Sequence, residues 1–228
     1  MSNPIIPEAT IVFLKNLKEN NNKDWFDTNK SEYQKQLESM VSFADGLLEK
    51  LSTHDVIETA SGKKSLHRIY RDTRFSKEKI PYKNNWSGGF SRATKERRGG
   101  YYFHIEPGNT FVAGGFFGPN AEDLKRVRDE ISRDSSELRA ILKSKEFKNT
   151  FGSLQGEQLK TTPKGFNADD KAIDLLRFKQ FILVKKFTDK EVLAPKFTDE
   201  VNLAFKNMRP FFDYMSEVLT TDGNGNPL

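Results

Sequence analysis

Apolar residues fall at spacings of three and four at both ends of the chain and alternate in the middle. Ile11, Phe13, Leu14 and Leu17 mark a short amphipathic helix over 8–20. Asn20, Asn21 and Asn22 should end it, since Asn tolerates the left-handed backbone found at helix ends. After Trp25 and Phe26, a longer helix is predicted from Tyr33, Leu37, Met40, Val41, Ala44, Leu47, Leu48 and Leu51, with Thr28 or Asn29 as its cap.

The period then shifts to two. Leu66 to Phe75 reads as a strand, with Leu66, Arg68, Tyr70, Asp72 and Arg74 on one face and His67, Ile69, Arg71, Thr73 and Phe75 on the other. Ser76 to Lys83, containing Pro81, reads as a loop. A strand at 85–92 follows, bent at Gly88 and Gly89. Segments 100–106 and 110–118 then form a hairpin across Pro107, Gly108 and Asn109, and the paired Gly114 and Gly115 point to close backbone approach.

Helices return after Asn120, a cap with Asp123 at the third helical position. Further helices are predicted over 137–147 and 169–178, with an irregular stretch over 151–164 and a strand over 181–187. The last helix carries Phe197, Val201, Ala204, Phe205, Met208, Phe211, Phe212, Met215 and Leu219, and Pro210 is expected to break it in two. The expected class is α+β: a central, mostly antiparallel sheet flanked by N-terminal and C-terminal helices, in one domain over 1–220 with a frayed tail over 221–228.

Composition narrows the chemistry. With no cysteine, disulfides, thiol catalysis and Cys-ligated zinc are excluded. No apolar run nears the ~20 residues that span a bilayer. The N-terminus lacks a basic start followed by an apolar stretch, so no secretory signal is visible and the expected location is the cytoplasm.

Charge is concentrated. Residues 62–98 hold twelve Lys and Arg against three acids, a local +9, whereas the whole chain is +5, so the remainder is −4. Such a segment calls for an anion.

Within it, Arg68 to Lys83 (RIYRDTRFSKEKIPYK) resembles a known family, the conserved hypothetical proteins that make up domain of unknown function 2461. Phe13 to Tyr33 (FLKNLKENNNKDWFDTNKSEY), Gly100 to Pro119 (GYYFHIEPGNTFVAGGFFGP) and Pro163 to Phe181 (PKGFNADDKAIDLLRFKQF) are similar to its other motifs, so the resemblance spans roughly 11–215. Glu78 stands where the family commonly has Asp. The resemblance carries no catalytic or binding residues over to this chain.

The residues themselves offer four constellations. Arg68, Arg71, Arg74, Lys77, Lys79 and Lys83, mixed with Tyr70 and Asp72, could hold phosphate or carboxylate, because Arg presents a planar fork of donors. Alternatively, Asp72 pairs with Arg74 or Lys79 and fixes the loop. Tyr102, His104 and Glu106 share a strand face and could act as a base with its orienting carboxylate. The glycine pairs match no phosphate-binding or dinucleotide fingerprint; they read as bulges, or as places where a flat ligand nears a sheet, Gly114 and Gly115 foremost. Trp25 and Phe26 could anchor the first helices or line a pocket.

The candidate ligand-binding set is therefore Arg68, Tyr70, Arg71, Asp72, Arg74, Lys79, Lys83, Tyr102 and His104, with no cofactor and no metal. Three readings stay open: a binder, or an enzyme, of an anionic small molecule, phosphorylated ones included; a nucleic-acid module stacking bases on Tyr70, Phe75, Tyr82, Trp86 and Phe90; and a non-catalytic protein that meets an acidic partner.

Overall fold

The structure is a computed structural model that describes residues 4–74, 77, 79–93, 95–222 and 226–227. The end of the expected 66–75 strand at Phe75, Ser76 and Glu78 of the loop, and much of the tail lie outside the described residues. In chain order the elements are α1 (Glu8–Glu19), α2 (Lys23–Thr28), α3 (Lys30–Leu51), α4 (Gly62–Ser65), β1 (Trp86–Ser91), β2 (Gly100–Ile105), β3 (Thr110–Phe116), α5 (Ala121–Arg133), α6 (Ser136–Lys143), α7 (Lys145–Phe151), α8 (Ile173–Leu176), β4 (Phe181–Phe187), α9 (Asp189–Val192) and α10 (Phe197–Thr220). The strands form one antiparallel sheet in the order β1-β2-β3-β4. The fold is α+β.

The chain divides into two compact units. The first comprises Met1–Phe90, Tyr102–Val112 and Lys186–Leu203; the second comprises Ser91–Tyr101, Ala113–Lys185 and Ala204–Leu228.

In the first unit α1 buries Phe13, Leu14 and Leu17, and α3 buries Met40, Phe43, Ala44, Leu47 and Leu51, as their spacing predicts. Phe43 is the hub. Its ring stands edge-on to Phe103 at 5.6 Å and stacks on Phe197 at the same distance. Asn22 caps α2, a short helix that the periodicity does not predict, its side chain accepting from Trp25 N at 3.0 Å. Asn29 precedes α3 but spends its amide on Trp25 O, so α3 has no side-chain cap there.

The expected 66–75 strand differs in kind. Leu66 and Tyr70 make single antiparallel bridges to Gly88 and Tyr82, joined by bonds from Arg71 N to Pro81 O and from Lys83 N to Ile69 O. The segment therefore pairs with two different partners in succession and never builds a continuous ladder. Asn21 clamps this ribbon from 61 residues away: its amide donates to Tyr82 O at 3.0 Å and accepts from Tyr82 N at 3.1 Å. Below it, Phe26 and Tyr82 stack at 4.0 Å.

In the second unit, Tyr101 packs on Phe205 and Phe212 at 4.9 and 5.2 Å. The 204–220 part of α10 buries Met208, Phe211, Phe212 and Met215. Pro210 lies inside this helix, which runs unbroken through it. Its ring is exposed, and burial on both sides outweighs the ~3 kcal/mol that an interior proline costs. Asn120 caps α5 as expected, accepting from Asp123 N at 2.8 Å. The predicted 137–147 helix is two helices, because Ser144 turns outward and caps α7 by accepting from Phe147 N. The 169–178 helix shrinks to α8, preceded by bonds from Ala172 N and Ser132 Oγ to Asp170.

Candidate functional site

The alternation of β2 builds the site, which lies wholly in the first unit from Tyr102 onward. Phe103 and Ile105 face the core. Tyr102, His104 and Glu106 face the other way, one every second residue. The turn that follows fixes Glu106: Asn109 N donates to Glu106 O at 2.9 Å, Thr110 Oγ1 donates to the same carbonyl, and Gly108 takes a positive φ of 74°.

Hydrogen bonds run along this face in a defined direction. Glu106 accepts from Asn84 Nδ2 at 2.7 Å and from Asn109 Nδ2 at 2.9 Å. Its Oε2 lies 3.1 Å from His104 Nε2. An ionised carboxylate can only accept, so Nε2 carries the imidazole proton. Nδ1 is then an acceptor, and the Tyr102 hydroxyl, 3.1 Å away, donates to it. The Ser87 side chain is a hydrogen-bonding neighbour of the Tyr102 phenol. Ser87 Oγ lies 3.3 Å from His67 Nδ1, which completes the order His67, Ser87, Tyr102, His104, Glu106. Phe111 stacks on the His104 ring at 4.8 Å and holds it in plane.

Burial and charge tune the members. Burial pulls the Glu106 carboxyl upward, but hydrogen bonds from Asn109 and His104 and the Lys18 charge overcome it, leaving the group below its ordinary value. Burial raises the Tyr102 phenol, partly offset by the Ser87 bond. At the far end burial, then the Lys83 charge, lowers His67. Burial, then the Arg68 charge, lowers Lys83. The Lys83 charge thus bears on His67 and the Arg68 charge on Lys83, while Asp72 is the acid that feels Arg68; neither the Lys83 ammonium nor the Arg68 guanidinium has an ion pair or side-chain hydrogen bond within contact distance among the described residues.

The structure therefore joins Tyr102 and His104 directly, and the Lys83 charge acts on His67 and the Arg68 charge on Lys83. The other sequence candidates are occupied elsewhere. Arg74 grips Asp72 through both carboxylate oxygens, at 3.0 and 2.6 Å, and its backbone N–H bonds the same group. Those bonds hold the Asp72 carboxyl below its ordinary range. Lys79 donates to Thr73 O at 2.9 Å, which ties the loop to itself. Arg71 is half-buried, and Tyr70, half exposed, rests on Phe26 and Tyr82.

Of the aromatics expected to stack on bases, Tyr82, Trp86 and Phe90 are buried in the core; Phe75 lies outside the described residues. Gly114 and Gly115 leave no room for a flat ligand. Phe212 and Met208 fill the space beside the first, and the Phe181 carbonyl fills that beside the second. Among the described residues no group of three metal-ligating side chains is found, and no helix is long and apolar enough to cross a membrane.

Ser87 and Asn84 escaped sequence reasoning because a hydroxyl and an amide carry no local signature. His67 was legible as a residue but not as a partner of Tyr102.

Residues 9–214 match the conserved hypothetical protein family DUF2461. This chain belongs to that family. No curated protein and no solved structure matches it. Membership covers both units and gives the residues no roles, so what this DUF2461 protein's site can do has to be argued from its own atoms.

Proposed function

We propose that this protein binds a small anionic molecule, a phosphate ester or a carboxylate, at Arg68, Lys83 and His67, with the hydroxyls of Ser87 and Tyr102 beside it. One observation carries the reading: the Lys83 charge acts on His67 and the Arg68 charge on Lys83, like charges that disfavour protonation of His67 and Lys83 until an anion arrives, while the Asp72 carboxylate near Arg68 is already gripped by Arg74. The bound anion would return the charge that burial and like neighbours withhold. The ordered bonds from His67 to Glu106 would let a proton taken up or released at His67 be balanced along the row. The phosphorylated ligand is the favoured class, since guanidinium and ammonium together match its several oxygens.

Histidine NMR during titration with inorganic phosphate tests this. His67 resonances should move and its midpoint should rise, and Arg68→Ala or Lys83→Ala should abolish the response. Unmoved His67 signals at phosphate well above ~1 mM would remove the proposal. Nucleic acid is the weaker reading, because three of the rings it needs, Tyr82, Trp86 and Phe90, lie in the core.

A further inference from the structure

The second unit contains a cleft of about 440 Å³ between α5 and the end of α10, within the size range of small-molecule sites. Glu130, Arg133, Glu137, Tyr214, Glu217 and Val218 line it. Two arginines in the cleft are already neutralised on their own helix: Arg126 pairs with Glu122, and Arg133 with Glu130. Lys125 likewise takes Asp129. Glu137 and Glu217 have no hydrogen bond or ion pair through their carboxylates among the described residues, so the cleft is left with uncompensated negative charge.

Tyr214 supplies a second and independent sign. It is only 6% exposed, yet its hydroxyl has no hydrogen-bond partner. A buried phenol without a partner is uncommon, because leaving it unpaired costs ~1–3 kcal/mol. Tyr214 is one of the residues that line the cleft, its hydroxyl oxygen lying beneath the surface. The charges that act on it, after burial itself, are those of Glu130, Glu137, Asp134 and Arg133, and three of these four residues line the cavity. An anion there would be repelled by Glu137 and Glu217. An ammonium group would donate to the phenol oxygen and to a carboxylate at once, rest on the electron-rich ring face, and leave its methylenes against Val218.

We propose that this cleft is a binding site for a small aliphatic diamine or polyamine, held by Tyr214, Glu137 and Glu217. It is separate in residues and in charge from the anion site, and does not rest on it.

Calorimetric titration of the full chain with putrescine and with spermidine tests the site. Binding is expected, tighter for the more highly charged amine. Glu137→Gln combined with Glu217→Gln should weaken it at least tenfold, and Tyr214→Phe should weaken it severalfold while far-UV circular dichroism stays unchanged. Absence of heat with either amine would overturn the proposal. So would equal binding by the double variant, or full displacement by an equal concentration of magnesium, which would mark a diffuse acidic surface. If Tyr214→Phe does not fold, the Glu137 and Glu217 variants decide the matter alone.

Discussion

The Tyr102 hydroxyl lies 3.1 Å from His104 Nδ1, and the opposite nitrogen of that ring lies 3.1 Å from Glu106. One imidazole therefore connects a phenol to a carboxylate, and its proton is fixed by the end that can only accept. Glu106→Gln should unsettle the whole row, since the amide nitrogen would face donors on Asn84, Asn109 or His104. A loss of about 1–3 kcal/mol is expected in urea unfolding. A shift of the Tyr102 phenol in ultraviolet pH titration should accompany it. Unchanged stability would mean that the row contributes little to the fold.

His67 gives a pH signature with a definite sign. Its folded value lies below the ordinary ~6.5, so the unfolded chain binds the proton more readily. Its contribution is complete above the unfolded value and is lost as pH falls from ~6.5 through the folded value. Lys83→Met removes the neighbouring like charge. The His67 NMR midpoint should rise in that variant, and the loss of stability over that interval should shrink. A midpoint that stays put would show that burial alone sets it.

Gly115 sits at φ 134°, and a Cβ there would come within 2.1 Å of the Phe181 carbonyl oxygen. Backbone cannot yield as a side chain end can. Gly115→Ala should cost more than ~3 kcal/mol, or prevent folding, while Gly118→Ala, with nothing within 4 Å, should be nearly neutral. Thermal unfolding of the two side by side checks this.

Arg92 looks like one more cation of the basic segment, yet its side chain is 1% exposed. It pairs with Asp213, donates to Arg98 O at 3.0 Å and to Ser216 Oγ at 3.3 Å, and lies over the Phe212 ring. Arg92→Ala should destabilise by ~3–5 kcal/mol by denaturant melt, since Asp213, Arg98 O and Ser216 lose a partner together. A surface arginine would cost almost nothing.

The contrast between Arg92 and Arg68 shows how much the sequence could say. Periodicity located α1, α3, α5, β2, β3, β4 and α10, because each buries one face along a regular spacing. It failed at Ser144 and Pro210, where one side chain's capping bond or its neighbours' burial decides the backbone. Composition located a basic segment but could not separate its members. Arg74 and Asp72 bond across one residue, Arg98 reaches Asp123 25 residues on, and Arg92 reaches Asp213 121 residues on. Tyr102, His104 and Glu106 were visible as one face of a strand. Their continuation through Ser87 to His67 was not, since chain pairing at Leu66 and Gly88 creates it.

The amide of Asn21 behaves as a spare peptide group, offering one donor and one acceptor to the backbone of Tyr82. That fit depends on nitrogen. Should the amide hydrolyse with age, the acceptor survives but the donor becomes a second oxygen, facing the Tyr82 carbonyl at hydrogen-bond distance. The ribbon that carries Arg68 and Lys83 would then lose its far anchor, so the durability of that ribbon is tied to the chemistry of one asparagine side chain outside it.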